Sequence, residues 1–209
     1  MDEEEYRTLK AVAAAEFTER RSRFIGDCAP VSSEEEATAF LQEVKSRRRE
    51  ANHHVYAYSL RKGHVTRHSD DGEPQGTAGM PVLDVLLKSG VTDAVMVVTR
   101  YFGGILLGTG GLVRAYSHAA SLALERSGVA VMKLCSVLEV CCSYSQYSLA
   151  CALIPQHGGT IEHSDYTDSV RIRFHMENRN LRNFQKALSN ATCGTCSAQG
   201  IIQKYFDLS

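Results

Sequence analysis

Hydrophobic and polar positions change period along the chain, and each change marks an element. An Ala-rich, strand-like stretch runs from Tyr6 to Phe17. Arg23 to Val31 then reads as a strand closing at a turn. Ser33 followed by Glu36 is a capping box: the hydroxyl accepts from the amide three residues on, and the carboxylate reaches back. Ala37, Phe40, Leu41 and Val44 recur at helical spacing, which predicts an amphipathic helix from Ser33 to Arg49. His54, Tyr56, Tyr58 and Leu60 fall on one face of the next strand, with His53, Val55, Ala57 and Ser59 on the other. Lys62-Gly63 makes a turn, and His64 to His68 a short partner strand.

Ser69 to Gly79 is polar and punctuated by Gly and Pro, a loop leading into a helix over Met80 to Lys88. Asp93 to Phe102 carries the continuous run Ala94-Val95-Met96-Val97-Val98, suited to a strand buried on both faces. A second glycine-rich loop, Gly103 to Gly111, precedes a helix marked by Leu112, Ala115, Tyr116, Ala119, Leu122 and Ala123 and ending at Ser127-Gly128. The pattern then restarts. Strands are predicted at Leu134–Cys142, Thr160–His163, Ser169–Met176 and Ile201–Phe206, with helices at Tyr144–Gln156 and Leu181–Leu188. That βαββαβ order is the ferredoxin-like, split-βαβ arrangement. The expected architecture is two α+β domains, 1–133 and 134–209, joined near residues 129–135.

Composition excludes several classes. Of 209 residues, 44% are hydrophobic and 22% charged, which suits a globular chain and not a disordered or collagenous one. No apolar run approaches the roughly 18 residues of a membrane span, and the start Met1-Asp2-Glu3-Glu4-Glu5 is acidic where an export signal is basic. A cytoplasmic protein without a membrane partner is expected. Net charge is −1, with 17 basic and 18 acidic residues before Leu134 and 6 of each from there on. Neither half has the bulk positive charge of non-specific nucleic-acid binding. Arg20, Arg21, Arg23 and Arg47-Arg48-Arg49 are either a local basic patch or solvated strand and helix ends. Seven cysteines with a lone Cys193-Gly-Thr-Cys196 pair lack the second pair of a structural zinc site, so small buried hydrophobes are expected.

Chemistry concentrates in the glycines. Nine of the sixteen fall between Gly72 and Gly111, mostly in the two loops that precede helices. Glycine lets backbone amides approach a ligand, and a helix N-terminus adds partial positive charge, so each loop is a candidate anion cradle or a tight turn. Arg100 ends the buried strand and Arg114 sits near the start of the following helix, where a cation does nothing for helix stability. Asp70, Asp71 and Glu73 could hold Mg²⁺ or cap the loop amides. His53 and His54, adjacent on a strand, point to opposite faces. Cys28 and Thr77 are conceivable nucleophiles, but no base accompanies them in sequence, so no catalytic residue is assigned.

The motifs Ser22-Arg23-Phe24-Ile25, Ala51-x-His53-His54-x-Tyr56-Ala57-Tyr58, Ser69-Asp70-Asp71-Gly72-Glu73-Pro74-x-Gly76-Thr77-Ala78-Gly79-x-Pro81 and Val98-Thr99-Arg100-Tyr101-Phe102-Gly103-Gly104-x-x-Leu107-Gly108-x-Gly110-Gly111-Leu112-Val113-Arg114-Ala115-Tyr116 resemble the Impact/YigZ family. The resemblance spans the N-terminal domain; the C-terminal half is similar to the smaller domain of bacterial two-domain members. Val55 departs from the pattern, since many relatives carry cysteine there. The resemblance implies an N-terminal domain similar to the second domain of a small-subunit ribosomal protein and to domain IV of elongation factor G. It implies a ferredoxin-like second domain similar to domain V of that factor. The candidate ligand- or anion-contacting residues, taken from the loops and the motifs around them, are Arg23, His53, Asp70, Asp71, Gly72, Glu73, Gly76, Thr77, Gly79, Arg100, Tyr101, Gly103, Gly104, Gly108, Gly110, Gly111, Arg114 and Tyr116.

Two functions compete. The first is a non-enzymatic, translation-associated binding or regulatory protein that takes RNA, the ribosome or an acidic partner on the glycine loops and arginines, with no cofactor. The second is a Mg²⁺-dependent enzyme or sensor for a small phosphorylated metabolite. Neither sets an oligomeric state.

Overall fold

The computed structural model describes residues 5–209; the acidic start, residues 1–4, lies outside the described residues. The chain forms two compact units, Tyr6–Val131 and Met132–Leu208, the latter with Glu5. Both are mixed α and β, with antiparallel sheets.

In the first unit, β1 (Glu5–Leu9) precedes a sheet built from β2 (Ala13–Glu19), β3 (Ser22–Pro30), β4 (His53–Leu60), β5 (Val65–Ser69) and β6 (Ala94–Tyr101). Its order is β2-β3-β6-β4-β5. Helix α1 (Glu34–Arg47) covers one face, and α2 (Gly79–Ser89) and α3 (Thr109–Ser127) the other. The apolar run of β6 follows from this sandwich. Val95 and Val97 pack with Ala37 and Val44 of α1, whereas Met96 and Val98 pack with Leu86 of α2 and Ala119 of α3.

Glycine sets the distance between sheet and helix. A Cβ on Gly26 would lie 2.5 Å from the Ala119 carbonyl oxygen, so α3 rests directly on β3.

Local chemistry departs from the spacing in two places. Ser33 accepts the Glu36 amide at 3.3 Å, but the Glu36 carboxylate accepts from the amide and hydroxyl of Ser32, at 2.6 and 2.9 Å. The box therefore closes one residue further out, where Ser32 offers two donors instead of one. The run Arg47-Arg48-Arg49 does not act as a free basic patch. Arg48 forks onto buried Asp27, and Arg47 lies 3.9 Å from the same carboxylate and 3.7 Å from Glu43. Burial pushes the Asp27 carboxyl above its ordinary range, and the Arg48 bonds only partly offset it.

The second unit contains β7 (Val129–Cys142) from Met132 on, α4 (Tyr144–Gln156), β8 (Thr160–Tyr166), β9 (Val170–Glu177), α5 (Asn178–Ala191) and β10 (Ala198–Asp207). β10 and β9 both pair with β7, and β8 lies outside β9, an all-antiparallel βαββαβ sheet. Leu138, Val140, Ile172 and Phe174 form its core with Ile154 of α4 and Phe184 of α5. β7 begins at Val129, inside the stretch read as a linker, because Val129-Ala130-Val131 already carries strand-forming residues.

Four cysteines are buried as expected: Cys28, Cys135, Cys142 and Cys196. Cys141 and Cys193 are exposed instead. Burial pushes the Cys28 thiol up to about 11, which keeps it protonated and inert. No helix among the described residues is long and apolar enough to cross a membrane.

Gly26→Ala should cost about 1–3 kcal/mol, because α3 must lift off β3 to admit a methyl group. Urea unfolding checks this: a lowered midpoint is expected, and a wild-type midpoint would contradict the close approach.

Candidate functional site

The two glycine loops meet over the end of β6, held there by a buried polar knot. The sheet register sets Arg100 between Phe24 on β3 and His53 on β4. Arg100 is only 5% exposed, and its Nη1 donates to Glu73 Oε1 at 2.6 Å. The Tyr116 hydroxyl donates to the same oxygen at 2.7 Å from α3. Glu73, from the first loop, is thus gripped by a strand and a helix at once. Burial first, then the neighbouring carboxylate, drives the Tyr116 hydroxyl pKa far upward, so it stays a donor. Ser22 ties in the second loop by accepting from the Gly103 amide at 3.2 Å, with Arg100 Nη2 at 3.5 Å. Arg100 Nε is buried and has no partner.

The first loop supplies its own anion. Asp70 accepts from the amides of Gly76, Ala78 and Gly79 at 2.8, 3.0 and 2.8 Å, which fills the N-terminus of α2. Burial pushes the Asp70 carboxyl up, but these three amides outweigh it and hold the acid below its ordinary value. Asp71 accepts from the His54 amide at 2.6 Å, and its carbonyl faces His53 Nδ1 at 2.8 Å. The three carboxylates therefore do not converge on one ion. Each has its own protein partner, and no group of three or more His, Cys, Asp or Glu among the described residues is placed to hold a metal.

The second loop is different. Gly108, in the left-handed region at φ +72°, leads into α3 without any side-chain cap, and the first backbone bond is Leu112 N to Gly108 O. The amides of Thr109, Gly110 and Gly111 thus have no intrahelical partner. Arg114 reaches back over them: a Cβ on Gly110 would lie 3.7 Å from its Nη1, and Arg114 makes no ion pair among the described residues. Two hollows flank this turn. One of about 420 Å³ is lined by Asn52, His53, Arg100, Phe102, Leu106 and Thr109, among others. The other, about 250 Å³, lies beside Glu19, Arg20, Gly111, Arg114 and His118. Open amides, a guanidinium with no ion pair among the described residues and the helix's partial positive charge lie side by side at this candidate anion cradle.

The structure therefore sorts the candidates. Gly108, Gly110, Gly111 and Arg114 come together at this turn; Gly108 and His53 line the larger hollow, Gly111 and Arg114 the smaller. Arg100, Glu73 and Tyr116 do not present themselves to a ligand as charges; they neutralise and fix one another. Arg23 is paired with Glu16 at 2.5 Å and lies over Tyr101, its centre 5.9 Å from the ring. Thr77 donates to the Pro74 carbonyl at 2.6 Å, a turn contact and no nucleophile. Gly72, Gly76 and Gly104 serve turns at positive φ, while Gly79 and Gly103 let backbone pass against Ser69 and Arg21. Asn52 and His118 were not among the sequence candidates. Asn52 had a signal, since it sits in the histidine motif; its Oδ1 accepts the Phe102 amide at 2.7 Å and pins the second loop.

Known proteins agree with this organisation. The model of the Impact N-terminal domain matches residues 20–124, which contain both loops and the knot. A domain of unknown function, DUF1949, matches residues 140–195. The IMPACT family member YvyE of Bacillus subtilis is 35% identical over 190 residues, covering 90% of this chain and 88% of that protein. The chain belongs to the Impact family. The family member YigZ of Escherichia coli is 36% identical over 179 residues, covering 84% of this chain and 88% of its own. A solved structure described as a hypothetical protein aligns over 96% of this chain and 98% of its own, with TM-score 0.61 and 33% identity. YvyE and YigZ are thus similar to this chain across both units.

Two outcomes follow from the geometry. Arg100→Ala should destabilise the fold by about 3–5 kcal/mol, because it strands the Glu73 charge inside; urea unfolding measures it, and a loss below about 1 kcal/mol would contradict the knot. Asp70→Asn should cost about 1 kcal/mol at pH 7. Asp70's folded pKa lies below its unfolded value near 4. Its contribution is thus complete above that pH and disappears as pH falls through the depressed value. Melting curves of the two proteins should converge in acid.

Proposed function

We propose that this Impact member is a non-enzymatic RNA-binding protein of the translation machinery, which grips a phosphate at the N-terminus of α3. One observation carries the reading. The first turn of α3 is left uncapped beside an unpaired Arg114, whereas α2 is filled by Asp70. A fold that caps one helix internally and leaves its neighbour open keeps the second for an outside anion. Apolar surface adjoins the cradle, with Leu106 80% and Phe102 44% exposed. A basic grip beside an exposed aromatic ring suits an unpaired strand, whose bases are free to stack.

Near-neutral net charge is consistent with a local grip on one or two phosphates and not with bulk attraction. In this reading the two units act as counterparts of domains IV and V of elongation factor G, and the natural target is ribosomal or ribosome-bound RNA. No cofactor is called for. The Mg²⁺ alternative gains nothing, since its three carboxylates are committed to α2, to β4 and to Arg100.

Fluorescence anisotropy with a labelled single-stranded RNA tests the reading. Arg114→Ala should weaken binding about tenfold, the loss of one charge-assisted hydrogen bond of about 1.5 kcal/mol. The slope of log affinity against log salt should fall by about 0.7, one phosphate contact on a single strand. Unchanged affinity and slope would overturn the assignment of this site.

A further inference from the structure

The cradle accounts for a phosphate but not for the 420 Å³ hollow beside it. We propose that this hollow receives one unstacked nucleobase of the bound RNA, a reading that rests on the phosphate grip at α3. Its size falls within the range of small-molecule pockets, and its walls are apolar side chains broken by a few fixed polar groups. Phe102, Leu106 and Leu112 supply the apolar part. Arg100's guanidinium lies 5.3 Å from the Phe102 ring centre, which steadies that ring as a stacking surface.

The polar groups on the opposite side have defined roles. Asn52 Oδ1 is identified by the Phe102 amide, which can only donate to it, so the Asn52 amino group is left to donate. His53 Nδ1 faces the Asp71 carbonyl, which can only accept. Nδ1 therefore donates to that carbonyl, and Nε2 lies 3.9 Å from Glu73 Oε1. Consecutive residues thus bring polar groups with fixed partners to one hollow, and the Asn52 amino group is the donor it offers. Nucleobase edges carry the complement, a carbonyl oxygen or a ring nitrogen that accepts. A base still paired in a duplex has that edge occupied, so the pocket selects single strands.

Charge separates the two halves of the ligand. At the floor, Arg100 and Glu73 cancel one another, which suits a neutral ring. At the rim, Gly108 and Thr109 open α3 and carry the positive end of its dipole, which suits the phosphate.

A comparison of two trinucleotides tests this, one intact and one with all three bases replaced by stable abasic residues. Their phosphates are the same. By anisotropy the intact RNA should bind the full chain about tenfold more tightly. Asn52→Asp keeps the acceptor for the Phe102 amide but loses the donor, and it should close most of that gap. Leu106→Ala, at an exposed position with little structural cost, should narrow it. Equal binding of the two RNAs, or a gap untouched by both variants, would overturn the base pocket while leaving the phosphate site standing. If neither RNA binds, both readings fall.

Discussion

Arg100 ends the central strand of a sheet, with Phe24 and His53 as its ladder neighbours, and its charge cannot be hydrated there. Only Glu73 makes that position tolerable, and Glu73 arrives from a loop with no secondary structure of its own. Tyr116 then locks the same carboxylate oxygen to α3. Three segments distant in sequence are thereby forced into one arrangement, because an unpaired charge at this depth costs several kcal/mol. Neither glycine loop could hold its course without that constraint.

The asymmetry of the two loops follows from it. Anchored at Glu73, the first loop turns so that Asp70 meets the amides at the head of α2, and that helix end is complete. The second loop leaves β6 beyond Arg100, is held through Gly103 on Ser22 and Phe102 on Asn52, and reaches α3 with glycine and threonine alone. The loop itself carries no acidic residue and no side chain caps the helix, so the amides stay open. Arg114 adds positive charge where the helix dipole already disfavours it. That placement is understandable if an outside anion completes the site.

Much of the fold was legible. The run Ala94–Val98 announced a strand buried on both faces, and the βαββαβ order after residue 134 emerged from period alone. The start of β7 was missed because a Val-rich connector looks the same whether it is linker or strand. At the site, periodicity identified the loops but not their partners. Arg100 in sequence is a cation beside glycines; that it is spent on Glu73, 27 positions away, depends on tertiary packing. Asp70 read as a cap or a metal ligand, and the three amide distances decide for the cap. Asn52 stands in the histidine motif, but its role is defined by the backbone of residue 102 and so by tertiary packing.

The central claim is that α3, and not α2, keeps its first turn for a phosphate. An ¹H–¹⁵N correlation spectrum of the full chain, titrated with a short single-stranded RNA, reads this directly, since glycine amides lie in a separate region. The account predicts that Thr109, Gly110 and Gly111 shift while Gly76 and Gly79, held by Asp70, stay in place. Shifts at Gly76 and Gly79 with α3 silent, or shifts confined to the second unit, would contradict it.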